Sequence, residues 1–356
     1  MKDKKLDYKI IFLVLILFVI GIFSLSGTGL LRNESVYSRG LLSKQIFWFM
    51  VSWIFFFFGF GIGYQKFLDL SLFLYLFSLG LLGAVLIIGP IRSGAQRWLN
   101  IGGLNFQPAE FAKLTALLIL TRYFVTHRDG IKSPKIFLTA LGIILPYIGL
   151  IFLQPDLGSA LVMVPLFLSL SFICGVKRKN LFILFFLGIL FSPLFWYLLK
   201  DYQKQRLLVF LNPHIDPLGA GYTIIQAKIA IGSGRLWGKG WGSHLFSFLP
   251  ESHTDFIFAS LAEQGGFFGA GLVILIYYLL LKEIIWKGIL SHNLAEKAIA
   301  GGIATLLFSH IFINIGMCLG ILPVVGIPLP FISYGGSHLV VNMWALGIVS
   351  SLGRER

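Results

Sequence analysis

Charge is what this chain has least of. Asp, Glu, Lys and Arg make up 12% of its 356 residues, about half the usual share of a soluble domain. That scarcity, with 57% hydrophobic residues and a mean hydropathy of +0.86, argues against both a disordered chain and an ordinary water-soluble fold. Acids are scarcest, 15 against 29 Lys and Arg, a formal net charge of +14. There are two cysteines, Cys174 and Cys318, both in apolar runs, so no disulfide framework is available. No Walker A loop, no HExxH and no Cys/His cluster with zinc spacing occurs, which removes the recognisable nucleotide and tightly bound metal signatures. No repeat of 20–50 residues is visible, and no A-x-A cleavage site follows the first apolar run. That run is therefore expected to be a retained span.

What is present is apolar sequence in long pieces. Phe (35) and Gly (40) are abundant, and both suit helices packed in lipid. After the basic stretch 1–9, apolar segments run to about 26 and then over 46–64, 67–90, 107–125, 136–153, 157–175, 180–199, 256–281, 298–322 and 332–352. Each is near the roughly 20 residues that a bilayer requires. The expectation is an all-α polytopic membrane protein of ten spans forming one domain over 1–356. With the N-terminus inside, Lys2, Lys4, Lys5, Arg128, Lys132, Lys177, Arg178, Lys282, Lys287 and Arg354 gather on the cytoplasmic side, as the positive-inside rule demands. Both termini are then cytoplasmic. In this setting the basic balance reads as loop charge and contact with anionic lipid headgroups, not as a nucleic-acid surface.

One outer loop, 200–255, is far longer than a normal connection. It carries Leu207, Phe210, Ile224, Ile225, Ile229, Trp237 and Trp241, too apolar for disorder. Ile224-Ile225…Lys228-Ile229 has helical spacing and predicts an amphipathic helix on the membrane surface.

Ionisable residues in or beside spans need a reason. Gln107, Glu110 and Lys113 are spaced by three and share a helix face. The Glu–Lys pair either neutralises itself in packing or lines a polar cavity, and the two readings are compatible. Asp156, in Gln154-Pro155-Asp156-Leu157-Gly158, caps the sixth span or faces a ligand. Arg97, before Trp98, is an interfacial anchor or a bidentate phosphate ligand. Gly232-Ser-Gly234-Arg235-Leu-Trp-Gly238-Lys239-Gly240 is a flexible turn or a cradle for a diphosphate, with Lys239 inside it. Asp255, beside His253 and Thr254, is a general base on a hydroxyl or the cap of the eighth span. Glu263, two turns deeper, lines the same cavity or bonds to a neighbouring helix. The Pro/Gly-rich stretch 323–337 breaks the chain between the last two spans, with Ser337 as a donor into a cavity.

Taken together these blocks resemble the SEDS family (shape, elongation, division and sporulation) over residues 10–352. The residues that carry the likeness are Ala95-Gln96-Arg97-Trp98, Gln107-Pro108-x-Glu110-Phe-Ala-Lys113, Gln154-Pro-Asp156-Leu-Gly, Ile225-Gln226-x-Lys228, Leu249-Pro-Glu-x-His253-Thr-Asp255 and Ile332-Ser-Tyr-Gly-Gly-Ser337. Gly238-Lys-Gly-Trp241 and Leu322-Pro-Val-Val-Gly-Ile-Pro-Leu-Pro330 resemble the rod-shape branch more than the division branch. The chain departs from the pattern at Arg235, where glycine is expected, at His338, where a small residue is expected, and in a shortened stretch between Trp241 and Leu249.

The resemblance implies a peptidoglycan glycosyltransferase that polymerises lipid II on the outer face of the bacterial cytoplasmic membrane. Its essential aspartate falls on Asp255, and its partner is a class B penicillin-binding protein. The substrates are lipid II and a growing glycan on undecaprenyl pyrophosphate. Arg97, Lys113 and Lys239 are the candidate cations for the departing diphosphate, with Gln107, Glu110, Asp156, His253 and Ser337 as further substrate contacts. No organic cofactor is expected, and a divalent ion is compatible with the chemistry. Two other readings stand beside this one. A lipid flippase or transporter would carry polar residues across the midplane to both faces, and a structural scaffold would not need Asp255.

Overall fold

The computed structural model describes residues 6–29, 35–91, 95–102, 104–219, 221–240 and 249–353. Its elements in chain order are α1 (Tyr8–Gly29), α2 (Ser35–Ile62), α3 (Tyr64–Asp69), α4 (Ser71–Ile88), a hairpin of β1 (Leu99–Ile101) and β2 (Leu104–Phe106), α5 (Pro108–Thr126), α6 (Pro134–Leu153), α7 (Leu157–Cys174), α8 (Arg178–Leu198), α9 (Asp201–Leu211), α10 (Tyr222–Ser233), α11 (Ile257–Leu290), α12 (Leu294–Leu319) and α13 (Gly336–Ser350). All ten expected apolar segments are helical over most of their length. Seven helices among the described residues, α1, α2, α4, α6, α7, α11 and α12, are long and apolar enough to cross a membrane. The fold is a polytopic all-α membrane protein.

At the centre lies α5, buried almost all round from Pro108 to Thr121. A helix enclosed on every side is a core helix, and it packs on α4, α6, α7, α12 and α13. Pro108 opens it, where its missing N–H costs nothing. The hairpin just before it pairs Leu99 with Phe106 and Ile101 with Leu104, turning through Gly102 in the left-handed region. Small residues bring α2 and α13 together. A Cβ on Gly347 would lie 2.1 Å from the Phe56 carbonyl oxygen, and one on Gly59 would lie 2.8 Å from that of Trp344. Exposed apolar surface is plain on α8, where Phe182, Phe186, Leu190 and Tyr197 are exposed.

Several boundaries differ from the sequence expectation. The third segment begins as the short α3 and restarts at Ser71. The last span starts at Gly336 rather than 332, because Phe331 and Ile332 are buried as loop residues and so mimic a helix in hydropathy. Pro323, Pro328 and Pro330 withhold backbone donors there, and the Ser333 hydroxyl accepts from the Leu329 N–H at 2.7 Å. The surface helix expected around 224–229 is α10. It turns Ile224, Ala227 and Ala230 inward and packs on α11 and α12, so this apolar face meets protein. The long outer loop is thus largely helical where it is described. Trp241 falls outside the described residues.

Candidate functional site: a cleft beside Asp255

The segment before α11 is held by its backbone. The His253 carbonyl accepts from the Tyr334 N–H at 3.0 Å, the Thr254 carbonyl from the Ser333 hydroxyl at 2.7 Å, and the Asp255 carbonyl from Asn314 Nδ2 at 2.8 Å. Three successive carbonyls are therefore tied to the 320–335 connection and to α12. Asn314 also donates to the Ile327 carbonyl at 2.7 Å, which locks α12 to that connection.

This clamp leaves the Asp255 side chain free. The N-cap of α11 is Phe256 and no side chain caps the helix, which removes the capping role. Thr254 instead donates to Glu251 Oε2 at 2.9 Å. No hydrogen bond to the Asp255 carboxylate occurs among the described residues. Its Oδ2 lies against Gly326, whose φ of +72° and missing Cβ leave room: a methyl there would stand 3.1 Å away. Asp255 is half-buried. Desolvation by its surroundings, and then the Glu251 charge, push its carboxyl up to about 6, against the opposing pull of Arg206 and Arg97.

A small cleft of about 310 Å³, counting its open mouth, does not have Asp255 in its lining, but two of its arginines act on that carboxylate electrostatically. Arg97, Pro155, Tyr202, Arg206 and Val324 line it. Arg97 donates to the Pro155 carbonyl, stands 4.0 Å from Asp156 Oδ1, and keeps a buried Nε with no partner. Arg206 comes from α9. It donates to the Val324 carbonyl at 3.4 Å and lies over the Tyr202 ring at 5.8 Å. Burial, and then the neighbouring Arg97 charge, lower its proton affinity. Two guanidiniums thus share one cleft, balanced by the carboxylates of Asp255 and Asp156.

Asp156 has two roles at once. It caps α7 through the Ser159 N–H at 3.2 Å, and it accepts from Gln107 Nε2 at 3.1 Å. The Gln107 N–H in turn donates to Ser337 Oγ, which donates to the Asn105 carbonyl. Ser337 therefore fastens the start of α13 to the hairpin that follows Arg97. His253 is half-buried beside Tyr334, and burial lowers its proton affinity.

The other two expected cations are engaged elsewhere. Lys113 is buried at 2.7 Å from Glu110 Oε1 and 2.7 Å from His310 Nε2. His310 continues to His338 at 3.0 Å, and His338 to Asn342 at 2.8 Å. Glu110, His310 and His338 place ligand atoms within 4.8 Å of one another, as a metal site would. The Lys113 ammonium already occupies the cation position among them. Lys239 pairs with Glu263 at 2.9 Å, six residues past the start of α11 at Ile257, about 9 Å of helix rise.

A model of the cell cycle protein family FTSW_RODA_SPOVE matches residues 5–356. The chain belongs to the SEDS family. This SEDS chain is 43% identical to the peptidoglycan glycosyltransferase MrdB of Escherichia coli K12, over 80% of its own length and 78% of MrdB. It is 32% identical to the peptidoglycan glycosyltransferase RodA of Treponema pallidum, over 97% of each. Among solved structures it superposes at a TM-score of 0.84 and 32% identity, over 97% of each chain, on a chain of a peptidoglycan synthase complex that coordinates polymerization and crosslinking. The rod shape determining protein RodA of Thermus thermophilus superposes at 0.71 and 29% identity, over 97% of this chain and 95% of that one. These relatives place the chain in the rod-shape branch.

Sequence reasoning missed Arg206, Tyr202 and His310 in this SEDS chain. His310 was findable, since an ionisable residue within a span is a candidate by default. Tyr202 and Arg206 are four apart on α9, a spacing visible once α9 is recognised as a helix. The histidine at 338 meets His310 ring to ring at 5.0 Å, which explains how a large residue is accommodated there.

Proposed function

We propose that this peptidoglycan glycosyltransferase polymerises lipid II at the Asp255 cleft, with Asp255 as general base and Arg97 and Arg206 as the cations that receive the leaving diphosphate. A sugar hydroxyl attacks the anomeric carbon of a glycan joined to undecaprenyl pyrophosphate. Asp255 takes the hydroxyl proton as the new C–O bond forms, and the old anomeric C–O bond breaks toward the pyrophosphate. A carboxyl near 6 is ionised at neutral pH yet basic enough to share a proton in the transition state. The leaving group carries its own charge and so needs cations rather than an acid. Arg97 and Arg206, both lining the cleft, offer guanidiniums for it.

The single observation that carries this reading is the arrangement of Asp255: backbone clamped, carboxylate unbonded, two guanidiniums in electrostatic range. The site lies at the extracytoplasmic face of the bacterial cytoplasmic membrane, where both lipid-linked substrates present their sugars. The likeness to a chain of a synthase complex supports a crosslinking partner, a class B penicillin-binding protein. No step is assigned to a divalent ion, since Arg97 and Arg206 supply the positive charge. Purified chain given fluorescent lipid II should form glycan strands, and Asp255→Asn should form none while keeping its fold. Full polymerisation by that variant would refute the role.

A further inference from the structure

The glycine-rich segment after α10 takes no part in the Asp255 cleft, yet it is firmly built. α11 breaks at Gly266, with φ 65° and ψ −162°, and the segment zips onto the break. Phe267 and Phe268 donate to the Arg235 and Leu236 carbonyls at 2.8 and 3.2 Å, while Lys239 and Gly240 donate to the Glu263 and Gln264 carbonyls at 3.0 and 3.1 Å. A Cβ on Gly238 would lie 2.1 Å from the Gln264 oxygen, so the two strands approach as closely as only glycine allows. Within this rigid mount Lys239 is neutralised by Glu263. Arg235 is not: it is exposed, and no carboxylate pairs with it among the described residues. It also holds φ at +50°, a conformation that glycine would adopt without strain.

The surroundings of Arg235 are exposed and apolar. An open groove of about 1130 Å³, including its solvent side, is lined by Ser233–Lys239. Leu236, Trp237, Phe267 and Phe268 stand exposed around it at 57, 79, 68 and 52%, with the Trp237 ring 4.7 Å from that of Phe268. Phe267 and Phe268 follow the break in α11, a helix long and apolar enough to cross a membrane, so exposed rings there suit contact with lipid. Trp and Arg side by side mark a headgroup level, and an unpaired guanidinium there matches a phosphate bidentately. We propose that Arg235, with the Trp237–Phe268 surface, forms a binding site for an anionic phospholipid. The headgroup phosphate sits on the guanidinium and an acyl chain lies along the rings.

Native mass spectrometry of the full-length chain tests this, with phosphatidylglycerol and phosphatidylcholine offered in equal amounts. Wild type should retain phosphatidylglycerol in preference by roughly fivefold, the factor one interfacial arginine supplies. Arg235→Gln and Arg235→Gly should bring the two lipids near parity, while Lys135→Gln, on α6, should keep the preference. Arg235→Gly relieves the positive φ, so it should fold at least as stably as wild type but lose the rise in melting temperature that phosphatidylglycerol confers. Equal retention of the two lipids by wild type would mean ordinary annular lipid and overturn the proposal. So would an undiminished preference in Arg235→Gly. Displacement of phosphatidylglycerol, one for one, by undecaprenyl pyrophosphate would reassign the groove to substrate and overturn it as well.

Discussion

Asp255 is ionised against its surroundings. Its carboxyl is raised by burial to about 6, so glycan synthesis should fall as pH drops through that value, following the fraction of ionised base. Initial rates on lipid II across pH 5–8 check this, and Asp255→Glu should keep an acid limb of its own. The same shift has a stability consequence. A folded-state value above that of a free carboxylate means the native state binds the proton more tightly than the unfolded chain. Stability then declines as pH rises from the unfolded value through the folded one, and the ionised carboxylate is a standing cost above it. Asp255→Asn should therefore melt higher than wild type at pH 8 and show little difference at pH 4, a comparison of thermal scans in one detergent. Arg206→Ala should cut kcat by about 10²- to 10³-fold, the usual loss of one positioned donor to developing negative charge, with unchanged melting behaviour. In the sequence alone Asp255 was a base or a helix cap, and only the family resemblance favoured the base; the structure shows that it caps nothing. Arg206 was not legible there, because its approach to Arg97 joins positions more than a hundred residues apart. Lys239 pairs with Glu263, which the sequence offered only as a separate candidate.

Hydropathy finds apolar runs but not the breaks inside them. It located all ten segments because lipid and core burial both demand apolar length. It misplaced the start of α13, where Phe331 and Ile332 are core residues in a loop. It could not separate packing from chemistry in α5, α12 and α13. There buried Glu110, Lys113, His310 and His338 and half-buried Asn342 form one chain of contacts. Breaking a buried pair from one side leaves an uncompensated charge, at a cost of about 3–5 kcal/mol. Lys113→Met should therefore lower the melting temperature sharply, and Glu110→Gln combined with Lys113→Met should recover most of the loss. If the double variant regains stability without regaining polymerisation, the pair does more than pack helices. Close approach of α2 and α13 gives a second element-scale expectation. Gly347→Val meets the Phe56 carbonyl at once, and overpacking of this kind costs about 1–3 kcal/mol, readable in the same scans.

For the whole molecule, the basic residues of the short loops set the expected orientation, with both termini inside and the α9–α10 region outside. Both native cysteines are buried, so labelling backgrounds should be low. A cysteine at His214 should react with a membrane-impermeant maleimide on intact spheroplasts, and one at Lys132 only after lysis. That placement matters because the proposed reaction brings two lipid-linked substrates to the cleft from the same leaflet. A transporter would instead need its polar residues to bridge both faces, whereas Arg97, Asp156, Arg206 and Asp255 gather at one end of the bundle. Everything then rests on whether one carboxylate does the chemistry. Fluorescent lipid II incubated with purified wild type, Asp255→Asn and Asp255→Ala, followed on a gel that resolves glycan chain length, decides it. Long strands from wild type and none from either folded variant is the expected result. Strands of wild-type length from Asp255→Asn would contradict the account.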